Sequence, residues 1–152
     1  MVERGDPGRA GVKAGRVVGL LTAGLAVASM LLVQDTYYRN VSLVLELVGL
    51  GVPLGAVFWV HAGLVATARY ALAYVTGSLV AIAWDAAGRP SLVLVAIAVG
   101  GIGAVDGTLA ALDTGRPALW LAYVLAWLAF VPAFARLHDP EAPTRDGPLR
   151  LE

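Results

Sequence analysis

The stretch Val41–Trp84, VSLVLELVGLGVPLGAVFWVHAGLVATARYALAYVTGSLVAIAW, decides how this chain folds. A bilayer core about 30 Å thick takes about 20 apolar residues as helix, at 1.5 Å per residue. One straight helix over the whole stretch would be about twice that thickness. No charged loop divides it; only His61-Ala62-Gly63 separates Val60 from Leu64. The reading is therefore two spans, Val41–Val60 and Leu64–Trp84, turning back on each other in a tight hairpin at His61–Gly63. Trp59 and Tyr70 then serve as interfacial anchors. Pro53 falls mid-span, where a missing backbone donor introduces a kink.

Three further apolar runs of the same length flank this stretch: Arg16–Val33, Ser91–Leu112 and Pro117–Leu137. Short links hold most of the remaining charge. The expected fold is all-α, a polytopic integral membrane protein with a bundle of about five transmembrane helices. A polar, glycine-rich segment, residues 1–15, precedes the bundle at 16–137. A polar tail, residues 138–152, follows it, with Pro140, Pro143 and Pro148 among alternating charges. Such a tail cannot bury enough apolar surface to offset its ordering entropy. Ala26-Val27-Ala28 resembles a signal cleavage site, but the apolar run continues to Val33, which favours a retained first helix.

Composition agrees. The apolar fraction is 59% and the mean hydropathy +0.75, well above the roughly 45–50% apolar share of soluble domains. Formal net charge is zero, so no global field recruits nucleic acid. Cysteine is absent, which removes disulfides, thiolate metal sites and cysteine nucleophiles. Arg4, Arg9, Lys13 and Arg16 before the first span favour a cytoplasmic N-terminus. Five spans then put Arg136, Arg145 and Arg150 outside, in conflict with the same rule.

Without a hydrophobic drive between helices in lipid, small residues carry the packing. Gly15 and Gly19 lead into Ala23 on the first span, and Gly51 and Gly55 flank Pro53 on the second. Ala73, Gly77 and Ala81 line one face of the third, with Gly103 and Gly107 on the fourth. These are read as helix contacts inside the bundle; the alternative is that one such face is left over for a partner subunit or a homo-oligomer. Tyr123, Trp127, Phe130 and Phe134 form an aromatic stripe on the last span. It suits lipid or core packing, or the docking of a partner helix, a lipid or a flat apolar pigment. Tyr37, Tyr38 and Trp84 are assigned to one interfacial belt, with Trp59, Tyr70 and Trp120 in the other.

Ionisable groups at membrane depth are costly and so mark candidate sites. Asp85 is assigned to a loop before Gly88-Arg89-Pro90. His61 falls in the proposed turn, without the further ligands a metal needs. His138 lies in the tail. Glu46 has only Arg39 near it and is read as snorkelling. Arg69 and Asp106 fall at comparable depth, towards the inner side, and are expected to pair between the third and fourth spans. No Gly-x-Ser-x-Gly elbow, zinc-binding His-Glu-x-x-His or phosphate loop is present. Paired histidines for haem are lacking as well, so no cofactor and no enzyme activity are expected. The leading expectation is a small non-catalytic subunit that acts by association, as part of a membrane complex or as a homo-oligomer. The alternative is a small transporter or channel for protons, ions or a small solute, using Asp106, Arg69 and Glu46. A membrane enzyme acting on a lipid is a distant third.

Overall fold

The computed structural model describes residues 7–138, and the expected tail from 139 onward lies outside the described residues. The chain is helical: α1 (Pro7–Leu32), α2 (Gln34–Val48), α3 (Leu54–Ala86), α4 (Leu92–Thr114), α5 (Ala118–Leu128) and α6 (Phe130–Leu137). Four segments are long and apolar enough to cross a membrane: α1, α3, α4 and the α5–α6 run 118–137. The expected count of five is not met, and the difference lies in Val41–Trp84.

Nothing in His61-Ala62-Gly63 stops a helix. Gly63 costs about 1 kcal/mol relative to alanine in a helix interior, too little to break a long one. Thr67 Oγ1 donates to the Gly63 carbonyl at 2.8 Å within the continuous helix. The hairpin is therefore absent, and α3 runs unbroken for 33 residues. The chain turns earlier. Gly49 ends α2 in the left-handed conformation at φ 68°, where a glycine lacks the Cβ penalty. The Gly49 amide donates to Glu46 O and the Leu50 amide to Leu45 O. Pro53 precedes the first residue of α3 at φ −60°, so it starts a helix instead of kinking one.

The segment proposed as the outer half of the second span is instead α2, an amphipathic helix. Asp35, Arg39, Ser42 and Glu46 recur at helical spacing on one side, and Tyr37, Val41, Val44 and Val48 on another. None of its residues is buried. Edge-to-face contacts of Tyr37 and Tyr38 with Phe58, at 5.3 and 5.7 Å between centroids, hold its first half to α3.

The remaining helices form two antiparallel pairs. Gly11, Gly15 and Gly19 of α1 lie against Ala81, Gly77, Ala73 and Tyr70 of α3. A Cβ added at Gly77 would stand 2.6 Å from Gly11 O and 2.7 Å from the Gly15 Cα. On the second pair, a Cβ at Gly103 would meet Trp127 Cβ at 2.8 Å, and one at Gly107 would meet Trp120 O at 2.6 Å. Gly51 and Gly55 do not pack: each faces open space, because Gly51 lies in the link and Gly55 in the first turn of α3. The pairs join where α1 meets α5 and α6. Ala10, Ala14, Val18, Ala81, Trp84, Val95, Val99, Trp127, Phe130 and Phe134 form one core cluster there.

The packed helix α1 thus starts at Pro7 instead of Arg16, with Ala10, Gly11 and Ala14 buried. The aromatic stripe Tyr123, Trp127, Phe130 and Phe134 is buried to the last residue, so it is part of the core. Asp85 sits in the last turn of α3, paired with Arg89 Nε at 2.8 Å, not in a loop. His138 packs against Trp84 and Phe134.

Even alternation of four long helices puts Pro7, the Ala87–Ser91 turn and Leu137 at one end of the bundle. The other end carries α2 and the Gly115–Pro117 turn. Tyr37, Tyr38, Trp59 and Trp120 gather at the α2 end and Trp84 at the terminal end, while Tyr70 packs mid-helix on Gly19. The belts are redistributed because α3 is a single helix.

Candidate functional site

The site lies where the two helix pairs face each other. Arg69 projects from α3 and Asp106 from α4, and Arg69 Nη1 donates to Asp106 Oδ1. Asp106 is eight residues from the end of α4, about 12 Å from the α2 end at helical rise. The pair therefore sits nearer the α2 end, the reverse of the side assigned from the hairpin, because a continuous α3 enters the bundle from that end.

Two aromatic side chains from α5 complete the arrangement. Trp127 Nε1 donates to Asp106 Oδ2 at 3.0 Å, so both carboxylate oxygens are engaged. The Arg69 guanidinium carbon stands 5.0 Å from the Tyr123 ring centroid, within cation–π range. Residues 123 and 127 are one turn apart, which sets both rings on the face of α5 that meets the pair. Asp106 lies between Gly103 and Gly107, whose missing side chains let α5 approach closely enough for the indole to reach it.

The pair is not sealed between the helices. Side-chain exposure is 23% for Arg69 and 14% for Asp106. Arg69 forms part of the floor of a cavity of about 520 Å³. Ser29, Tyr123 and Ala110 line it near the arginine, Val65 and His61 rise along α3, and Thr36, Tyr37 and Asn40 of α2 form a wall. Asp113, Thr114 and Gly115 contribute from the end of α4. His61 Nδ1 and the Tyr37 hydroxyl are 3.2 Å apart, tying α2 to α3 beside this cavity. The same two residues line a second, apolar hollow of about 470 Å³, with Val52, Ala56, Val57, Val60 and Leu64. His61 is thus a helical, exposed residue in the cavity wall, not a turn residue. Glu46 is exposed on α2 and does not line the cavity, so it is separated from Arg69 and Asp106.

Among the described residues, no group of three or more His, Cys, Asp or Glu side chains could hold a metal ion. Trp127, Tyr123 and the α2 wall went unassigned in the sequence as parts of the site. The polar period 35, 39, 42, 46 was the available signal for α2. The spacing of 123 and 127 against an aspartate inside an apolar helix was the signal for the rings. No protein-family model, no curated protein and no solved structure matches this chain.

Proposed function

We propose that this chain is a multi-pass membrane protein of four crossings, with both termini cytoplasmic, whose working part is the cavity at the α2 end. That cavity receives a small polar solute from the outer side. The topology rests on basic residues near the span ends. Among the described residues, Arg9, Lys13, Arg16, Arg89 and Arg136 belong to the terminal end, against Arg39 and Arg116 at the other. Four crossings remove the conflict that five created, since both arginine-bearing termini then share one face. At about 50 Å, α3 exceeds the core thickness, and tilt accommodates such a mismatch. Helix α2 suits the interface, with a polar face and exposed apolar residues that include Leu43, Val44, Leu47 and Val48.

One observation carries the functional reading. An arginine at membrane depth opens onto a roomy cavity with mixed polar and apolar walls, where a purely structural ion pair is better served by closure. Below it, Trp84, Val95, Val99, Phe130 and Phe134 fill the bundle, so the cavity ends blind. That supports a binding protein or a carrier in one of its states over an open pore. Accessibility tests this. In otherwise cysteine-free protein, Met30→Cys and Val65→Cys should react with a membrane-impermeant thiosulfonate added outside, while lipid-facing Leu109→Cys should not. Unreactive Met30→Cys and Val65→Cys would reduce the pair to a fastening between helices.

A second reading, association with another membrane subunit or a second copy, has narrower support than the sequence suggested. The packing glycines of α1, α3 and α4 and the aromatic stripe are consumed inside the bundle. The apolar half of α2, with Leu47 86% exposed, is the surface that favours it. Mass determination by light scattering in mild detergent, with and without Leu47→Ser, tests that reading directly.

A further inference from the structure

We infer that the cavity is selective for an organic monocarboxylate, held through the unengaged edge of the Arg69 guanidinium. This rests on the reading of the cavity as a solute site and names the class of solute. The argument begins with donors. An arginine carries five N–H groups in a planar fork that matches a carboxylate bidentately. Among the described residues, Arg69 bonds one acceptor atom, Asp106 Oδ1. The other carboxylate oxygen accepts from the Trp127 indole instead. Tyr123 covers one face of the guanidinium, and Arg69 is among the residues that line the cavity. Guanidinium donors on a water-accessible wall suit an ionised acceptor, because charge-assisted two-point contacts are stronger than neutral ones.

Charge narrows the class. Arg69 is the single Arg or Lys among the lining residues, and Asp106 is not among them. A cation would therefore meet the Arg69 guanidinium in the same lining. A dianion such as a phosphomonoester would find no second fixed cation, and Asp113 contributes to the same lining. A single carboxylate is the most that one guanidinium, already bonded to Asp106, can hold by a second edge. The walls then favour an organic body over an inorganic ion. Ala26, Met30, Val33, Val65 and Ala110 supply apolar surface beside the rings of Tyr37 and Tyr123.

Protection from labelling tests this, with benzoate, benzamide and benzylamine as probes of matched shape and different charge. Purified Val65→Cys protein in detergent is labelled with a small neutral thiosulfonate. Benzoate, at roughly ten times its Kd, should slow the reaction about tenfold, while benzamide and benzylamine leave it within twofold. Arg69→Gln should abolish the protection while labelling itself persists. Should Arg69→Gln fail to fold, Ala26→Leu, which fills the cavity without touching the ion pair, should abolish it instead. If Val65→Cys labels readily but benzoate protects no better than benzamide or benzylamine, the carboxylate assignment is overturned and the cavity reading stands. If Val65→Cys cannot be labelled at all, the cavity is closed to solutes and both fall.

Discussion

Trp127 donates its indole N–H to Asp106 at 3.0 Å, on the carboxylate oxygen that Arg69 does not use. A single hydrogen bond thus connects the last apolar segment to the ion pair between α3 and α4. Trp127→Phe keeps most of the ring volume and removes the donor. We expect a loss of about 1–3 kcal/mol, the cost of an unsatisfied buried acceptor, read by thermal or denaturant unfolding in detergent. Trp120→Phe, at a half-exposed ring, should cost less. Equal losses would mean that ring bulk and not the hydrogen bond matters.

Removing either member of the pair should cost more than removing both. Arg69→Ala leaves Asp106 charged beside Trp127, and Asp106→Ala leaves the guanidinium facing Tyr123 alone. Breaking a buried pair costs about 3–5 kcal/mol; partial exposure here lowers the expectation to about 1–3 kcal/mol. The double variant should be milder than the sum by at least about 1 kcal/mol. Strict additivity in unfolding measurements would argue against coupling.

Identical substitutions at two glycines of α3 should behave oppositely. At Gly77 a side chain meets Gly11 O and the Gly15 Cα, both backbone atoms that cannot swing aside. Gly77→Leu should therefore separate α1 from α3 and cost about 3 kcal/mol or more. Gly55 has nothing within 4 Å of an added Cβ, so Gly55→Leu should stay within about 0.5 kcal/mol. Yield and melting temperature of the purified variants distinguish the two.

Sidedness is directly measurable because the chain has no cysteine. Single cysteines at Glu46 and Arg116 should label from outside intact cells. Cysteines at Arg9, Ala87 and Arg136 should label only after permeabilisation. Arg9 and Arg136 reporting from opposite faces would require an odd number of crossings and contradict the four-helix arrangement.

Span length and apolar content made the helical class and its membrane-compatible segments legible from residue types alone, since a backbone in lipid must bond within its own helix. The pairing of Arg69 with Asp106 was legible in part, from the cost of lone charges at depth. The register of Val41–Trp84 was not. Hydropathy sums residues over a window and is blind to whether Gly49 adopts a left-handed φ or whether Gly63 interrupts a helix. That choice alone changed the number of span-length helices, moved Pro53 from a kink to a helix start, and reversed the end at which the ion pair lies. Tertiary structure also decided the fate of the stripe Tyr123, Trp127, Phe130 and Phe134. A helix apolar on every side does not reveal which face meets lipid and which meets protein. Only contact with α1, α3 and α4 turned those rings inward, gave Asp106 its second donor, and left Arg69 open to a cavity walled by α2.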